Sequence, residues 1–561
     1  MSNKSTSLLV LLMLCAWPVP HARAQTTALA AAIEARVSTA VLQGELSIRG
    51  QPIAATAAIA DFYTRRGFAP AWTDPRNVDD LLRAIVDSAD DGLSPADYHL
   101  AVLAQMRPQM RLADTTDFGR ADFELLLTDA ILRLGYHLWF GKVDPEQFSA
   151  GWNMSRSLPG LDAASELEAV LATGQLYRQI ERARPAHPLY EALRGELAKM
   201  RRVALAGGWP ELPEGPTLEP GTSDARVPVL RELLVATGDL AAPPPPEPQA
   251  APAGDPLLYD AMLVDAVRRF QKRMGLNVDG RIGRGTQAEL RVPVEDRIRQ
   301  LRVNLDRGRV LLYQMPEEFL VVNIAGAEAA YLRGDEVLWR NRAQVGTPYR
   351  ETPEYRSELT YLVFNPTWTV PPTIIRNDIL PAARRDPYSI TRRGLKVLDS
   401  SGAVIDPGSV DWSRFRTGHI PYTLRQDPGP DNALGRVKFM FPNPYNVYLH
   451  DTPSKSLFDR DTRTTSSGCV RIEQPLELAR LLLDDPVNWN DEAIAATIER
   501  GEIQNVTLRR RVPIILAYWT AWVDPLGVVN FRRDVYGRDA AWAKALDAPF
   551  SFRRQPLVGG P

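Results

Sequence analysis

Two side chains in this sequence are suited to sharing a proton ahead of a nucleophilic attack, the thiol of Cys469 and the imidazole of His450. A thiol at its ordinary pKa of about 8.5 is only a few per cent ionised at neutral pH, so it needs a base or a cation beside it. His450 is the histidine nearest to Cys469 along the chain and stands at the end of a predicted strand, Val447 to Leu449. The turn Ser466-Ser467-Gly468 precedes the cysteine. Such a turn bares a side chain and can aim backbone N–H groups at a developing oxyanion. Arg471 follows two residues after Cys469, which in an extended segment puts its guanidinium on the same side as the thiol. Thiol, base, donors and cation thus fall in one short stretch. The chemistry they fit is acyl transfer through a thioester.

The elements that must hold this group form the last part of the chain. From Glu318 the apolar pattern turns to strands: 319–324, 329–332, 337–339, 359–364, 437–440, 447–449, 512–522 and 528–531, with glycine-containing turns between several of them. One clear helix is predicted at 476–483. A long insertion separates Phe364 from Lys438, and loops of that length are usually functional or disordered.

Upstream, residues 25–216 read as mainly helical, with apolar residues at three- and four-residue spacing over 78–89 and 123–139. Phe62, Tyr63, Gly67, Phe68, Pro70 and Trp72 make an aromatic turn near its start. His137 lies on an apolar helical face and is expected to be packed and hydrogen-bonded. His99 and His187 have no partner at metal-ligand spacing, His419 reads as structural, and no metal or other cofactor is implied. A second unit, 217–293, begins with a helix from Val227 and is interrupted by a proline-rich stretch, 243–252, that cannot continue a helix. It resumes at Asp265. Val267, Phe270 and Met274 share a face, Gly275 reads as a C-cap and Asp279-Gly280 as a turn. A further helix, 295–312 within a linker of 294–316, carries Ile298, Leu301 and Leu305 on one face.

Length implies several domains, and a formal charge of −2 gives no footprint for nucleic acid. Lys4, the apolar run from Leu8 to Trp17 and Ala22-Arg23-Ala24 make residues 1–24 an export signal, too short to span a bilayer comfortably. Its removal takes Cys15 away and leaves Cys469 as a lone thiol in an oxidising compartment, where retention calls for a reason.

Two resemblances follow from these motifs. The segment with Phe270-Gln271, Gly275-Leu276, Asp279-Gly280, Ile282-Gly283 and Thr286 resembles the small three-helix peptidoglycan-binding domain. His450, then 15 residues, then Ser466-Ser467-Gly468-Cys469-Val470-Arg471 resembles the YkuD-type catalytic domain of L,D-transpeptidases, with Ser467 where many members have a second histidine. Ser467 with Arg471 resembles the larger multidomain bacterial branch, which also carries an N-terminal scaffold domain. The resemblance implies a multidomain α+β protein: a β-rich catalytic domain over 317–545 with a capping insertion at about 366–436, a small three-helix domain, a helical scaffold, and a tail over 546–561.

It further implies a thioester on Cys469, His450 as acid and base, and Gly468 and Cys469 N–H groups as oxyanion donors with the Tyr448 hydroxyl as a third. Arg471 would orient substrate, Trp368 would line the mouth under the cap, and Asn432 and Gly435 would shape the loop before the catalytic strand. The implied partners are peptidoglycan stem peptides and glycan strands, with cell-wall synthases beside them. The implied place is the periplasm, with membrane attachment only if the signal is retained. Water as acceptor, giving an L,D-carboxypeptidase or endopeptidase, and a non-catalytic wall-binding scaffold are the rival readings. A papain-like order is excluded, because the histidine here precedes the cysteine.

Overall fold

The computed structural model describes residues 20–43, 45–112, 114–149, 151–155, 162–242, 255–313, 315–416 and 420–552. Most of the export signal, the proline-rich stretch, His419 and residues 553–561 of the tail lie outside these. No helix among the described residues is long and apolar enough to cross a membrane.

The N-terminal part is helical and wraps around one central helix, Asp117–Phe140. Thr116 caps it by accepting from the Gly119 N–H, and Gly141 ends it at φ 79°. The helix is buried on nearly all sides, as a helix apolar all round must be. The predicted aromatic turn is fastened to it by one carboxylate: Glu124 accepts from Ala71 N at 2.9 Å, Trp72 N at 3.1 Å and the Tyr63 hydroxyl at 3.0 Å. His137 is packed on Tyr98, whose hydroxyl lies 2.8 Å from Nδ1. His99 sits 2.8 Å from Asp129, and His187 caps the helix Pro188–Leu205. Among the described residues no three His, Cys, Asp or Glu side chains converge so as to hold a metal ion.

Three helices, Val227–Ala236, Ala261–Met274 and Arg284–Leu290, form the small second unit. Its sequence motif turns out to be a hydrogen-bond hub. The buried Gln271 amide donates to Asp279 at 2.9 Å, to the Arg281 carbonyl at 2.9 Å and to Thr286 at 3.2 Å, and accepts from Gly280 N at 2.8 Å. The buried amide is thus satisfied by the residues of its own motif.

The helix Val294–Leu311 follows and runs through the centre of the molecule. A single apolar cluster passes from Tyr190 and Leu193 through Val227 and Phe270, across Leu301 and Leu305, to Phe319, Ile515 and Phe531. The same helix carries a buried polar row. Asp306 accepts from Lys142 N at 2.7 Å, Val143 N at 3.1 Å and Trp542 Nε1 at 3.0 Å, and pairs with Arg309 at 2.7 Å.

The catalytic-type region is built on nine strands: β1 Glu318–Asn323, β2 Glu328–Arg333, β3 Glu336–Gly346, β4 Tyr355–Phe364, β5 Val437–Met440, β6 Leu449–His450, β7 Thr464–Ser466, β8 Val470–Ile472 and β9 Gln504–Ala517. Their order is β7-β3-β8-β6-β5-β4-β9-β1-β2, and β2 pairs again with β3, so the sheet closes on itself. Leu320, Leu362, Phe439, Leu449, Val470 and Ile514 fill its interior. The single run expected over 512–522 is divided, β9 ending at Ala517 and a short strand, Ala521–Val523, pairing with Val529–Phe531. Beside the expected helix, seen at Pro475–Leu483, two more appear at Asp491–Glu499 and Arg538–Leu546. The long insertion has a core of its own, including Val370, Ile375, Leu380, Val397, Trp412 and Leu424. It also has a four-stranded sheet of its own.

Removing the Asp306 carboxylate would leave Arg309 buried without its partner, a change that typically costs about 3–5 kcal/mol. Asp306→Ala is therefore expected to lower the urea midpoint of the whole chain and to open the segment at Lys142-Val143 to limited proteolysis. An unchanged midpoint and digestion pattern would show that the buried row is dispensable.

Candidate active site

The site is set by two short parallel strands. β6 pairs with β8 so that Leu449 stands opposite Val470 and His450 opposite Arg471. Val470 N donates to the Tyr448 carbonyl at 3.1 Å, which brings Tyr448 alongside Cys469. Leu449 and Val470 are buried in the core, so the alternation of side chains puts Tyr448, His450, Cys469 and Arg471 together on the opposite face. On the other side of β6, antiparallel β5 places Lys438 opposite His450. Lys438, His450 and Arg471 thus form one row across three strands.

The turn before the cysteine is held from below. Gly468 has φ 115°, outside the range of ordinary side chains. Its carbonyl accepts from Thr352 Oγ1 at 2.9 Å, and that hydroxyl accepts in turn from Gly346 N at 2.9 Å. Ser466 Oγ donates to the Cys469 carbonyl at 2.6 Å and accepts from Gly468 N at 3.1 Å. The Gly468 amide is therefore committed inside the turn. Among the described residues the Cys469 amide meets no acceptor, and it remains the backbone donor available to an oxyanion. Ser467 is exposed and accepts from Arg350 Nη1 at 2.9 Å, while the same guanidinium pairs with Asp378 of the insertion at 2.6 Å.

His450 is buried, with its Nδ1 2.5 Å from the Asp451 carbonyl. A carbonyl only accepts, so Nδ1 carries the proton and Nε2 keeps its lone pair, the state a base requires. Burial first, and then the charge of Arg471, lower the His450 pKa to about 3, with Lys438 acting in the same direction. The ring is neutral at neutral pH. Asp451 is fixed in turn: its carboxylate accepts from Arg436 N at 2.9 Å and pairs with Lys455. Gly435 lies so close to Asp451 that a side chain at 435 would collide with its carboxylate.

The Cys469 thiol is half-buried, with Sγ 3.8 Å from the Asn446 carbonyl. Burial pushes its pKa up, and the Tyr448 N–H, Lys438, Arg471 and the Tyr448 hydroxyl oppose that rise. The Tyr448 hydroxyl is pushed well above its usual range by burial and by the neighbouring sulfur, so it stays a donor. Arg471 reaches Gln344 at 3.2 Å, but its Nε is buried with no hydrogen-bond partner among the described residues. Trp368 belongs to the insertion. It pairs with Gln426 in the sheet of the insertion and packs partly against the insertion's own core. Asn432 donates to the carbonyls of Pro366 and Asp427 at 3.0 and 2.9 Å, tying the insertion's two ends together.

The residues that sequence reasoning passed over are Lys438, Thr352, Arg350 and Asp378. Lys438 lies in a strand that the pattern did locate, but its role depends on strand pairing. The other three come from a loop and from the insertion, where no periodic signal marks them.

Residues 317–488 match the family model of the L,D-transpeptidase catalytic domain, residues 57–197 that of a scaffold domain, and residues 229–290 that described as "Putative peptidoglycan binding domain". A curated relative from Haemophilus influenzae, printed as "Putative L,D-transpeptidase", is 37% identical over 242 residues. That match takes in 43% of this chain and 48% of the relative, so the chain spans about half of that protein's length. Among solved structures, an L,D-transpeptidase from Mycobacterium smegmatis matches at 15% identity and TM-score 0.18, over 36% of this chain and 58% of that one. One from Xylanimonas cellulosilytica matches at 14% identity and TM-score 0.18, over 54% and 99%.

With histidine labelled at the ring carbons, one resonance that disappears in His450→Gln is expected to show no titration between pH 8 and pH 5, because its midpoint lies far below. A midpoint near 6.5, the value of a free imidazole, would contradict the neutral, enclosed ring.

Proposed function

On a chain that carries an L,D-transpeptidase catalytic domain beside a scaffold domain and a peptidoglycan-binding domain, we propose an enzyme that forms 3→3 peptidoglycan cross-links through a thioester on Cys469. The observation that carries this reading is the common face of β6 and β8, which presents the thiol, imidazole, phenol and guanidinium on one side of the sheet. Cys469 gives its proton to His450 Nε2 as the sulfur attacks the carbonyl between the L-centre of a diaminopimelate-type third residue and the terminal D-alanine of a tetrapeptide stem. The carbonyl oxygen takes the negative charge and is met by the Cys469 N–H and the Tyr448 hydroxyl. The C–N bond then breaks, and the imidazolium returns its proton to the departing D-alanine amine. In the second half the side-chain amine of another stem attacks the thioester and loses its proton to His450. The sulfur departs and the enzyme is restored.

Arg471, with an unpartnered Nε, is suited to hold a substrate carbonyl or carboxylate. The small three-helix unit and the scaffold would bring glycan strands and stems to the site, alongside synthases that make the strands. Residues 1–24 would direct the chain to the periplasm, where this substrate lies. No step calls for a metal or cofactor.

Purified full chain incubated with disaccharide-tetrapeptide fragments should give dimers lighter by one D-alanine, read by mass spectrometry. Cys469→Ala should abolish them, and His450→Gln should slow them by about 10²–10⁴. Shortened stems without dimers would assign water as the acceptor and an L,D-carboxypeptidase in place of a cross-linking enzyme. Full dimer formation by Cys469→Ala would sink the thioester altogether. A carbapenem offers a strained carbonyl to the same sulfur, so wild type should gain its mass in an intact-protein spectrum and Cys469→Ser should not. An adduct of equal yield on both would place the reactive group elsewhere.

A further inference from the structure

The reaction proposed above makes no use of Lys438, yet that residue occupies the middle of the site. It stands in register opposite His450, on the side of β6 away from Arg471. Its Nζ lies 3.7 Å from the centroid of the Tyr448 ring, and that ring lies 5.7 Å from the imidazole. The side chain is half-buried, and no carboxylate among the described residues pairs with it. A lysine drawn out of water without an anion is costly, and burial lowers its pKa. What it has in place of an anion is an aromatic face and, within its field, a sulfur.

The geometry points to Lys438 as a positioning residue of the transfer site: its ammonium clamps the Tyr448 ring so that the phenol stays on the Cys469 sulfur, and it supplies positive charge beside the sulfur anion. The inference rests on the reading of Cys469 as nucleophile. Its physical content is a balance of charges. Tyr448 and His450 face the sulfur from β6, Arg471 from the sulfur's own segment and Lys438 from β5, while Arg350 reaches the neighbouring Ser467 and is itself paired with the Asp378 carboxylate. The nearest carboxylate along β6, Asp451, is turned to Arg436 N and Lys455. The two charged side chains that the strands place on the thiol's face, Lys438 and Arg471, are both cationic. Of the two cations acting on the sulfur, Lys438 has the larger effect, and on His450 Arg471 has the larger.

The test is the pH dependence of Cys469 alkylation by iodoacetamide, followed by intact mass on the full chain, for wild type, Lys438→Met and Lys438→Arg. One nearby charge moves a thiol's midpoint by about one pH unit. Lys438→Met is expected to raise the alkylation midpoint by that much. At neutral pH the rate should fall about threefold rather than tenfold, because a more basic thiolate is also the better nucleophile. Lys438→Arg keeps the charge and should restore the wild-type midpoint. A folded Lys438→Met, or Lys438→Gln if Met does not fold, whose midpoint matches wild type would overturn the proposal. So would failure of both neutral variants to fold while Lys438→Arg folds, since that assigns the lysine to the fold. Alkylation needs no peptidoglycan, so the outcome is independent of whether stems are cross-linked or trimmed. An unreactive Cys469 at every pH in wild type would instead remove the nucleophile, and the function proposed above with it.

Discussion

The pairing of β6 with β8 is the contact on which this molecule depends. It consists of two residues on each strand, Leu449 and His450 against Val470 and Arg471. Because side chains alternate, a slip of one residue would turn Tyr448 and His450 into the core and push Leu449 out. The buried Leu449 and Val470 oppose such a slip. Two strands this short carry little stability alone, so their neighbours must set the register. β5 flanks β6 and β3 flanks β8, while Thr352 and Ser466 fix the turn that delivers Cys469. The loop after Phe441 is set as firmly: Asn443 accepts from Tyr445 N and Val447 N and donates to the Val447 carbonyl. Much of the catalytic region serves to keep four side chains on one face.

The same requirement explains how the other units are attached. If the three-helix unit and the scaffold were tethered by flexible linkers, the sheet would have its own core and little else across the junction. Instead, one apolar cluster runs from the scaffold's last helix through the three-helix unit and the central helix into β1 and β9. Arg307 and Arg309 are fully buried along that helix. Arg307 pairs with Asp539 at 2.7 Å, and Arg309 bonds to Tyr190 at 3.1 Å. Charges this deep demand fixed partners, which ties the orientation of scaffold and sheet to specific side chains rather than to apolar contact alone. A guanidinium that links the Ser467 turn to Asp378 extends the same logic to the insertion.

The local parts of this arrangement were legible in the sequence, and the pairings were not. Strand β5 is expected over the same residues it occupies, the expected helix at Pro475–Leu483 is off by one, and Cys469, His450 and Arg471 follow from residue type and spacing, Tyr448 from the family resemblance. Alternation and motif order are local properties, so they survive in a linear string. Lys438 was invisible for the opposite reason: its neighbour His450 is fixed by antiparallel register across a turn whose length does not announce it. The Gly468 amide was expected to face an oxyanion. It is turned to Ser466, because the residue at φ 115° rotates the peptide inward. The two extra helices at Asp491–Glu499 and Arg538–Leu546 are only nine residues each, and the second buries Trp542, Ala543 and Leu546 against Val143 and Val303, partners distant in sequence.

The row Lys438–His450–Arg471 bears directly on how one histidine could serve both halves of the proposed transfer. Like charges directly opposite one another across strands repel, so a protonated His450 between two cations is strongly disfavoured. That makes the ring a weak base at rest, and the resting pair is a neutral thiol beside a neutral imidazole. Once the sulfur carries a negative charge, it offsets part of the repulsion and makes proton transfer to Nε2 affordable only while the anion is present. The imidazolium so formed is an unusually strong acid, and its easiest relief is to pass the proton on to the leaving amine as the thioester forms and the sulfur loses its charge. The cations therefore couple the two proton movements to the charge on sulfur. A row with one neutral member would give a better resting base and a slower acid, at the step where an amine must be expelled.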